Sequence, residues 1–415
     1  MHTEKVSRPI VIVGSGLAGL RAAEAARAAG YAGRIVLVGE EPHEPYDRPP
    51  LSKDVLLTPG RENDIRLTES RSLDELSIER MFGVRVVSID PASQTVELND
   101  RSPLPYSKLI LATGSSVRPL PQLPPGAPGV HYLRTMEDAV ALRAAMKTSQ
   151  RIAVIGGGVI GLEVAAAATA MGASVVVVEA GPRVMGRSAA PAISDFLQKA
   201  HESRGVEIRT GCSIEHVERI DGALSLTCAD GCKITTDIVV VGIGVTPNSE
   251  LAASCGLDVA PQGVVVDGWG QTSDPAIFAA GECAFHFNAA SGEQERQETW
   301  AHAAAHGEHV GRAVVLGVDA LPPYAETMSY WSDQFDISLQ CVGDCATDDH
   351  VLRGDMKSER FTIFHLSDGV VVGASCVNSA RDIRVAKSLI SSGARVSRDQ
   401  LSDLTVNLRT VATAA

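Results

Sequence analysis

Two hexapeptides carry glycines at a spacing suited to gripping phosphate: Gly14-Ser15-Gly16-Leu17-Ala18-Gly19 and Gly156-Gly157-Gly158-Val159-Ile160-Gly161. In such a turn the first glycine makes the tight bend, and the second lets the backbone approach a pyrophosphate. The third lets helix and strand pack closely. The helix that follows offers its free N–H groups and the positive end of its dipole to the phosphates. An acid closing the next strand accepts hydrogen bonds from ribose hydroxyls. Glu40 (or Glu41) and Glu179 stand in those places.

The elements that must position these turns recur around both. Ile10–Val13 and Ile152–Ile155 are short, continuous apolar runs, as expected of central parallel strands. Ala-rich helices are predicted from Leu20 to Ala29 and up to about Met171, followed by strands over Arg34–Val38 and Ser174–Val178. One such motif alone is a weak signal. Two, each between a strand and a helix and each closed by an acid, imply one tightly held flavin and one exchangeable nicotinamide. A carboxylate at Glu179 repels a 2′-phosphate and favours NADH over NADPH, while Arg183, four residues on, argues the other way.

Composition bounds the rest. A chain of 415 residues exceeds what one hydrophobic core usually serves, so two or three domains are expected. Only 4% of residues are aromatic, while Ala, Gly and Val dominate, which favours α/β layering. The net charge of −13 argues against a nucleic-acid partner. Lys5 and Arg8 before the apolar run Ile10–Leu20 give a faint signal-peptide outline, which a βα turn explains better. The apolar stretch Val164–Val178 is interrupted by Thr169, Gly172 and Ser174 and is short for a bilayer, so a buried helix followed by a buried strand is predicted. A cytoplasmic protein with no membrane partner is expected.

All eight cysteines lie at or after Cys212. Cys228/Cys232 and Cys341/Cys345 are C-x-x-x-C pairs, whereas zinc sites usually show C-x-x-C. Buried reduced thiols and no metal are expected. The stretch Glu44–Asp54, where flavin disulfide reductases keep a reactive thiol, has none. Without that thiolate, disulfide or peroxide reduction lacks its nucleophile.

The run Pro45-Tyr46-Asp47-Arg48-Pro49-Pro50-Leu51-Ser52-Lys53 resembles the FAD-dependent ferredoxin reductases of bacterial oxygenase systems. Leu111-Ala112-Thr113-Gly114 is similar to that family's strand returning toward the flavin, and Gly242-Ile243-Gly244-Val245-Thr246-Pro247-Asn248 to the motif closing its nicotinamide domain. Thr272-Ser273-Asp274 through Phe278-Ala279-Ala280-Gly281-Glu282 resembles the second FAD motif, and Tyr330-Trp331-Ser332-Asp333-Gln334 the opening of the C-terminal domain.

The resemblance implies an α/β fold with two Rossmann-like, glutathione-reductase-like dinucleotide-binding domains and a C-terminal α+β domain. The FAD domain would take residues 6–117 and 248–325, the NADH domain 118–247 with its Pro- and Gly-rich entry Pro119–Gly129, and the C-terminal domain 326–415. In that last domain Phe361–His365 and Val370–Ala374 read as strands before a helix from Ala380 to Ile390.

Residue by residue, the resemblance puts FAD on Gly14, Gly16, Leu17, Ala18 and Gly19, with Glu40 or Glu41 at the adenosine ribose and Val86 toward adenine. Arg48, Ala112, Thr113, Gly114 and Arg134 would also touch it. Gly281 and Glu282 would hold the ribityl chain, where the family often has the shorter Asp. Trp300 would set its backbone near the flavin pyrimidine edge. NADH would lie on Gly156, Gly158, Val159, Ile160, Gly161, Glu179, Gly242 and Gly244. Lys53 would sit beside the isoalloxazine and pair with Glu163; a buried Lys needs a counter-charge, and a simple interdomain ion pair is the alternative. Trp331 would lie near the flavin face, the alternative being a core Trp.

The implied activity is transfer of electrons from NADH through FAD to a two-iron ferredoxin that feeds a Rieske dioxygenase or haem monooxygenase. The chain would be a monomer or homodimer. Rubredoxin, quinone or oxygen remains open as the acceptor. A redox-sensing interaction protein resembling apoptosis-inducing factor shares the fold but would want a basic surface or a targeting segment, and the sequence shows neither.

Overall fold

The computed structural model describes residues 8–67, 73–99 and 101–410. Lys5 therefore lies outside the described residues, as do parts of the 6–117 span and the end of the tail. The chain divides into two compact units.

The first unit gathers the described residues up to Asp47, then Ile65–Ser116 and Val245–Met328. Its centre is a five-stranded parallel sheet in the order Ile277–Ala279, Lys108–Leu111, Ile10–Val13, Ile35–Gly39, Ile78–Phe82. Ile10–Val13 is buried at every position, as a strand covered on both faces must be. The helix Leu17–Ala28 lies against the helix Trp300–Leu316, and small residues set the approach. A Cβ on Gly307 would fall 2.4 Å from the Ala18 carbonyl oxygen, and one on Gly311 2.2 Å from that of Ala22. An antiparallel sheet of Val259–Ala260, Gly263–Val266, Ala284–Asn288 and Glu293–Glu295 is mixed by the parallel pair of its two middle strands.

The second unit gathers Arg48–Asp64, Val117–Gly244 and the described residues from Ser329 onward. Its parallel sheet runs Glu207–Arg209, Ser174–Val178, Arg151–Ile155, Ile238–Val241, Val130–Tyr132. The helix Val159–Ala170 is buried from Gly161 to Ala168, which is why its sequence is apolar apart from Glu163 and Thr169. The strand Ser174–Val178 then completes the buried helix–strand pair read from the sequence. The C-terminal part is a five-stranded antiparallel sheet, Ser329–Gln334, Ile337–Gly343, Val370–Val377, Arg360–Ser367, His350–Asp355, carrying the helix Ala380–Ser392.

Two details differ from the sequence expectation. The first nucleotide helix begins at Leu17, not Leu20, because the motif residues after Gly16 already form its first turn. The segment Arg48–Asp64, contiguous in sequence with the first nucleotide fold, clusters with the second unit. Arg143 holds it there: its guanidinium donates to the Val55 carbonyl at 2.8 Å and grips both carboxylate oxygens of Glu62 at 2.8 and 2.9 Å. That contact holds Glu62 down to about pKa 2, against the partial desolvation that opposes it. Among the described residues no helix is long and apolar enough to cross a membrane.

Candidate functional site

The two glycine turns are built alike. Gly14 sits at φ +116°, and a Cβ there would lie 2.0 Å from the Ala112 carbonyl oxygen. Gly156 sits at φ +107°, with the Gly242 carbonyl oxygen 2.3 Å from its ideal Cβ. The third glycines are equally tight: Cβ atoms on Gly19 and Gly161 would meet the carbonyl oxygens of Gly14 and Gly156 at 1.9 and 2.0 Å. The middle glycines differ in kind. Nothing lies within 4 Å of where a Cβ on Gly16 or Gly158 would be. Each turn is thus closed by protein at its first and third glycine and open at its second, where a phosphate would approach. Gly16 and Gly158 cap their helices without a side-chain hydrogen bond, so the first-turn N–H groups face that opening. The cradle fits a dinucleotide pyrophosphate in both units.

This geometry also explains two of the later motifs. Ala112 and Gly242 each directly follow a strand, Lys108–Leu111 and Ile238–Val241, and supply the carbonyl against which the first glycine packs. In the first unit Asn248 fastens the following residues: it donates from Nδ2 to the Thr113 carbonyl at 2.9 Å, and its N–H donates to the Gly114 carbonyl at 3.0 Å. Val86 is buried at the start of the strand Val86–Asp90.

The acids after the two strands are set differently. Glu40 follows Ile35–Gly39 with its side chain 67% exposed and Arg85 at 3.6 Å. Glu41 accepts a short hydrogen bond from the Tyr46 hydroxyl. Glu179 is fixed: Oε2 accepts from the Gly157 N–H and Oε1 from the Gly181 N–H, both at 2.6 Å. Arg183 turns its guanidinium inward, to the Ala189 carbonyl at 2.7 Å, Ser194 Oγ at 2.6 Å and the Gly186 carbonyl at 3.0 Å.

Gly281 opens the short turn Gly281–Cys283 at φ +73°, and a Cβ there would stand 2.6 Å from that of Ala18. Glu282 follows, with Arg296 Nη2 at 3.8 Å. Sequence reasoning missed Arg296, which donates to the Glu282 carbonyl and to Ser115 Oγ, both at 2.9 Å. Trp300 starts its helix under a Thr299 cap and donates from Nε1 to Asp47 at 2.7 Å.

In the second unit Lys53 Nζ lies 3.0 Å from Glu163 Oε1, and Glu163 is only 2% exposed. Burial pushes its carboxyl above the ordinary range; Lys53, Ser52 and Ser332 pull it the other way. Ser52 Oγ donates to Oε2 in a short bond, and Ser332 Oγ to Oε1 at 2.7 Å. These two serines were also missed, although both stand inside the quoted motifs. Arg48 donates to the Arg134 carbonyl. Trp331, half-buried beside Ser332, points to the opposite face of its strand and stands outside the apolar core of the C-terminal sheet. The Cys228 thiol is brought to Cys212 and Asp230, with ligand-type atoms within 4.8 Å, while its N–H donates to the Cys232 carbonyl at 2.9 Å and the Cys232 thiol takes a hydrogen bond from Arg209.

Comparison with known proteins places these features. Residues 8–307 match the pyridine nucleotide-disulphide oxidoreductase family, and residues 329–412 the reductase C-terminal family. The chain is 42% identical over 404 residues to the anthranilate 1,2-dioxygenase system ferredoxin–NAD(+) reductase component of Burkholderia cepacia, covering 97% of this chain and 98% of that one. It is 36% identical to the crystal structure of the ferredoxin reductase for the CYP199A2 system from Rhodopseudomonas palustris, with a TM-score of 0.93 over 98% of this chain and all (100%) of the other. The covalent putidaredoxin reductase–putidaredoxin complex matches at 34% identity and TM-score 0.91, covering 99% of each chain. The chain belongs to the pyridine nucleotide-disulphide oxidoreductase family and, within it, to the ferredoxin–NAD(+) reductases that bind FAD and NAD(H).

Proposed function

We propose that this chain takes reducing equivalents from NADH and passes electrons to a two-iron ferredoxin that serves a Rieske dioxygenase or haem monooxygenase. The relative from Burkholderia and the putidaredoxin complex support that partner. One observation carries the reading: two glycine cradles of the same geometry, each open only at its middle glycine. Bound FAD supplies the chemistry that links a two-electron donor to a one-electron acceptor.

The chain's own residues bind and orient. Leu17, Ala18 and the helix N-terminus after Gly16 offer backbone N–H groups to the FAD pyrophosphate, with Glu40 or Glu41 for its adenosine ribose. Val86, Ala112, Thr113, Gly114, Gly281, Glu282 and Trp300 complete that site, and Arg48 and Arg134 are proposed to reach it. Val159 and Ile160 present the second helix N-terminus to NADH, bounded by Gly242 and Gly244. Lys53 is the proposed cation for the flavin ring. Glu163 holds its ammonium, and Ser52 and Ser332 hold Glu163. Trp331 is the proposed aromatic cover of the flavin face. The run Glu44–Asp54 supplies no thiolate, so the donated electrons leave by transfer rather than through a thiol relay.

NADH is preferred over NADPH, because Glu179 fixes a carboxylate at the ribose position and Arg183 is turned away from it. Eight free thiols suit a reducing cytoplasm, and a monomer or homodimer is proposed. The test is NADH-driven cytochrome c reduction with and without candidate two-iron ferredoxins. A ferredoxin-dependent rate is expected. A rate indifferent to every ferredoxin overturns the acceptor assignment, and a protein left colourless by added FAD overturns the flavin one.

A further inference from the structure

Beneath the Gly281–Cys283 turn three imidazoles pile up. His286 comes from the strand Ala284–Asn288; His302 and His306 come from the helix Trp300–Leu316. All three are buried. Ring centroids lie 4.5 Å apart for His286–His302, 4.9 Å for His302–His306 and 4.7 Å for His286–His306, with interplanar angles of 23°, 28° and 37°. Their nitrogens lie within 4.8 Å of one another, as metal ligands can. Two facts speak against a metal. Lone pairs lie in the ring plane, so stacked rings aim them side by side rather than at one point. A tetrahedral ion with bonds of about 2.0–2.1 Å also needs nitrogens only ~3.3 Å apart.

The tautomer of His306 decides what the pile does. Gly281 N–H, which can only donate, points at His306 Nδ1 from 3.1 Å. Nδ1 therefore carries the lone pair, and the ring's single proton sits on Nε2. Gly281 belongs to the turn beside Ala18, in the floor of the first cradle. We infer that His306 is a positioning residue for the flavin: its unprotonated Nδ1 holds the Gly281–Cys283 turn in place, and a proton taken up at that nitrogen releases the turn and the flavin with it.

The surroundings support this. Among the described residues, His286 Nδ1 and Nε2, His302 Nε2 and His306 Nε2 have no hydrogen-bond partner. The carboxylate facing the stack, Glu295, is 3.7 Å from His286 Nε2 and is already bonded by Asn288 and by Gln297. Tyr324 closes another side and bonds His302 Nδ1 at 3.1 Å. His309, one turn on, bonds the Gly268 carbonyl, with Arg312 and Asp267 beyond it. Cys283, in the turn itself, is a buried thiol. The helix Leu17–Ala28 meets this helix through Ala18 and Ala22, and its charged pair Arg21–Glu24 is closed on itself at 2.6 Å. For a proton added to the stack, burial outweighs the help that Glu295 and the Ala284 backbone give His286 and the Gly281 backbone gives His302. Burial pushes His286 down to about 4, His302 to about 3 and His306 well below the ordinary 6.5. Depressed histidines leave the fold at full stability above the ordinary value and cost stability as pH falls beneath it.

The test rests on the flavin reading and compares wild type, His306→Gln and His306→Leu as purified holoproteins. Gln accepts the Gly281 N–H but cannot titrate; Leu does neither. FAD retained after gel filtration is measured as pH is lowered from neutral, beside the melting temperature of each flavin-free form. At neutral pH, Gln retains FAD within about twofold of wild type, and Leu about tenfold more weakly. The Gln variant releases FAD at lower pH than wild type. A Gln variant as weak as Leu at neutral pH overturns the acceptor role. Release curves that coincide for Gln and wild type overturn the acid sensitivity, and a wild-type chain that takes up no FAD overturns the flavin reading itself.

Discussion

The two cradles use one backbone solution and two electrostatic ones. Gly14 and Gly156 share a strained φ and a carbonyl pressed where a Cβ would be. Beyond the turns they diverge. The first cradle has an exposed acid, Glu40, and gains a further wall from Gly281 and the helix Trp300–Leu316. The second has its acid clamped by two backbone N–H groups, and its helix is met by the C-terminal strand Ser329–Gln334 through the Ser332–Glu163 bond. A glycine turn backed by Gly281 and the packed helix suits a cofactor that stays. A single rigid acid suits one that must be told apart from its phosphorylated relative and then released.

The sharpest way to break this comparison is to spoil one turn at a time. Gly14→Ala and Gly156→Ala each force a side chain into backbone 2.0 and 2.3 Å away, at a φ that costs about 1–3 kcal/mol for any other residue. Gly14→Ala is expected to purify without flavin colour; Gly156→Ala is expected to stay yellow and lose NADH reduction. Equal loss of flavin from both variants would show that the cradles are not separately assigned. Gly16→Ala and Gly158→Ala enter open space, so their flavin-free melting temperatures should match wild type while affinity for the cognate dinucleotide drops. Differential scanning and equilibrium dialysis separate the two effects.

The next effect concerns Lys53 and Glu163. Removing one partner of a buried pair leaves the other uncompensated, typically about 3–5 kcal/mol. In Lys53→Ala the pull that Lys53 exerts on Glu163 is gone, so a carboxyl already raised by burial rises further. A raised acid binds its proton more tightly folded than unfolded. Stability of the variant should therefore fall as pH climbs from the ordinary carboxylate value of 4.5 through the raised folded one. Urea melts across that range check the sign. A slower reduction by NADH at a pH where the variant is fully folded supports the proposed role at the flavin; an unchanged rate leaves an ion pair of structural value alone.

How much of this was legible in the sequence follows from range. Ile10–Val13, Ser174–Val178 and both glycine turns were readable because each is fixed by residues adjacent in the chain. The family resemblance supplied Lys53–Glu163, which no local pattern contains, since the two stand far apart in sequence. Ser52, Ser332 and Arg296 were invisible for the same reason: a hydroxyl or guanidinium becomes meaningful only once folding sets Glu163 or Ser115 before it. That the Arg48–Asp64 segment clusters with the second unit was equally hidden; its anchor, Arg143, lies on a helix that no local pattern connects with Glu62. The carbonyls of Ala112 and Gly242 explain motifs that had been recognisable only as resemblance.

The smallest effect tests the acid that separates the cradles. Arg183 was the residue in the sequence that argued for NADPH, yet its guanidinium is committed to Ala189, Gly186 and Ser194. Arg183→Ala should therefore leave the ratio of specificity constants for NADH and NADPH within about twofold, because only contacts that differ between two ligands alter discrimination. Glu179→Gln keeps an acceptor for Gly157 or Gly181 but removes the charge. Its ratio should move toward NADPH by about tenfold, roughly the 1.4 kcal/mol of one partly screened charge. If Arg183→Ala moves the ratio more than Glu179→Gln does, the guanidinium reaches the ribose site in the working enzyme, and the electrostatic half of the comparison between the cradles is wrong.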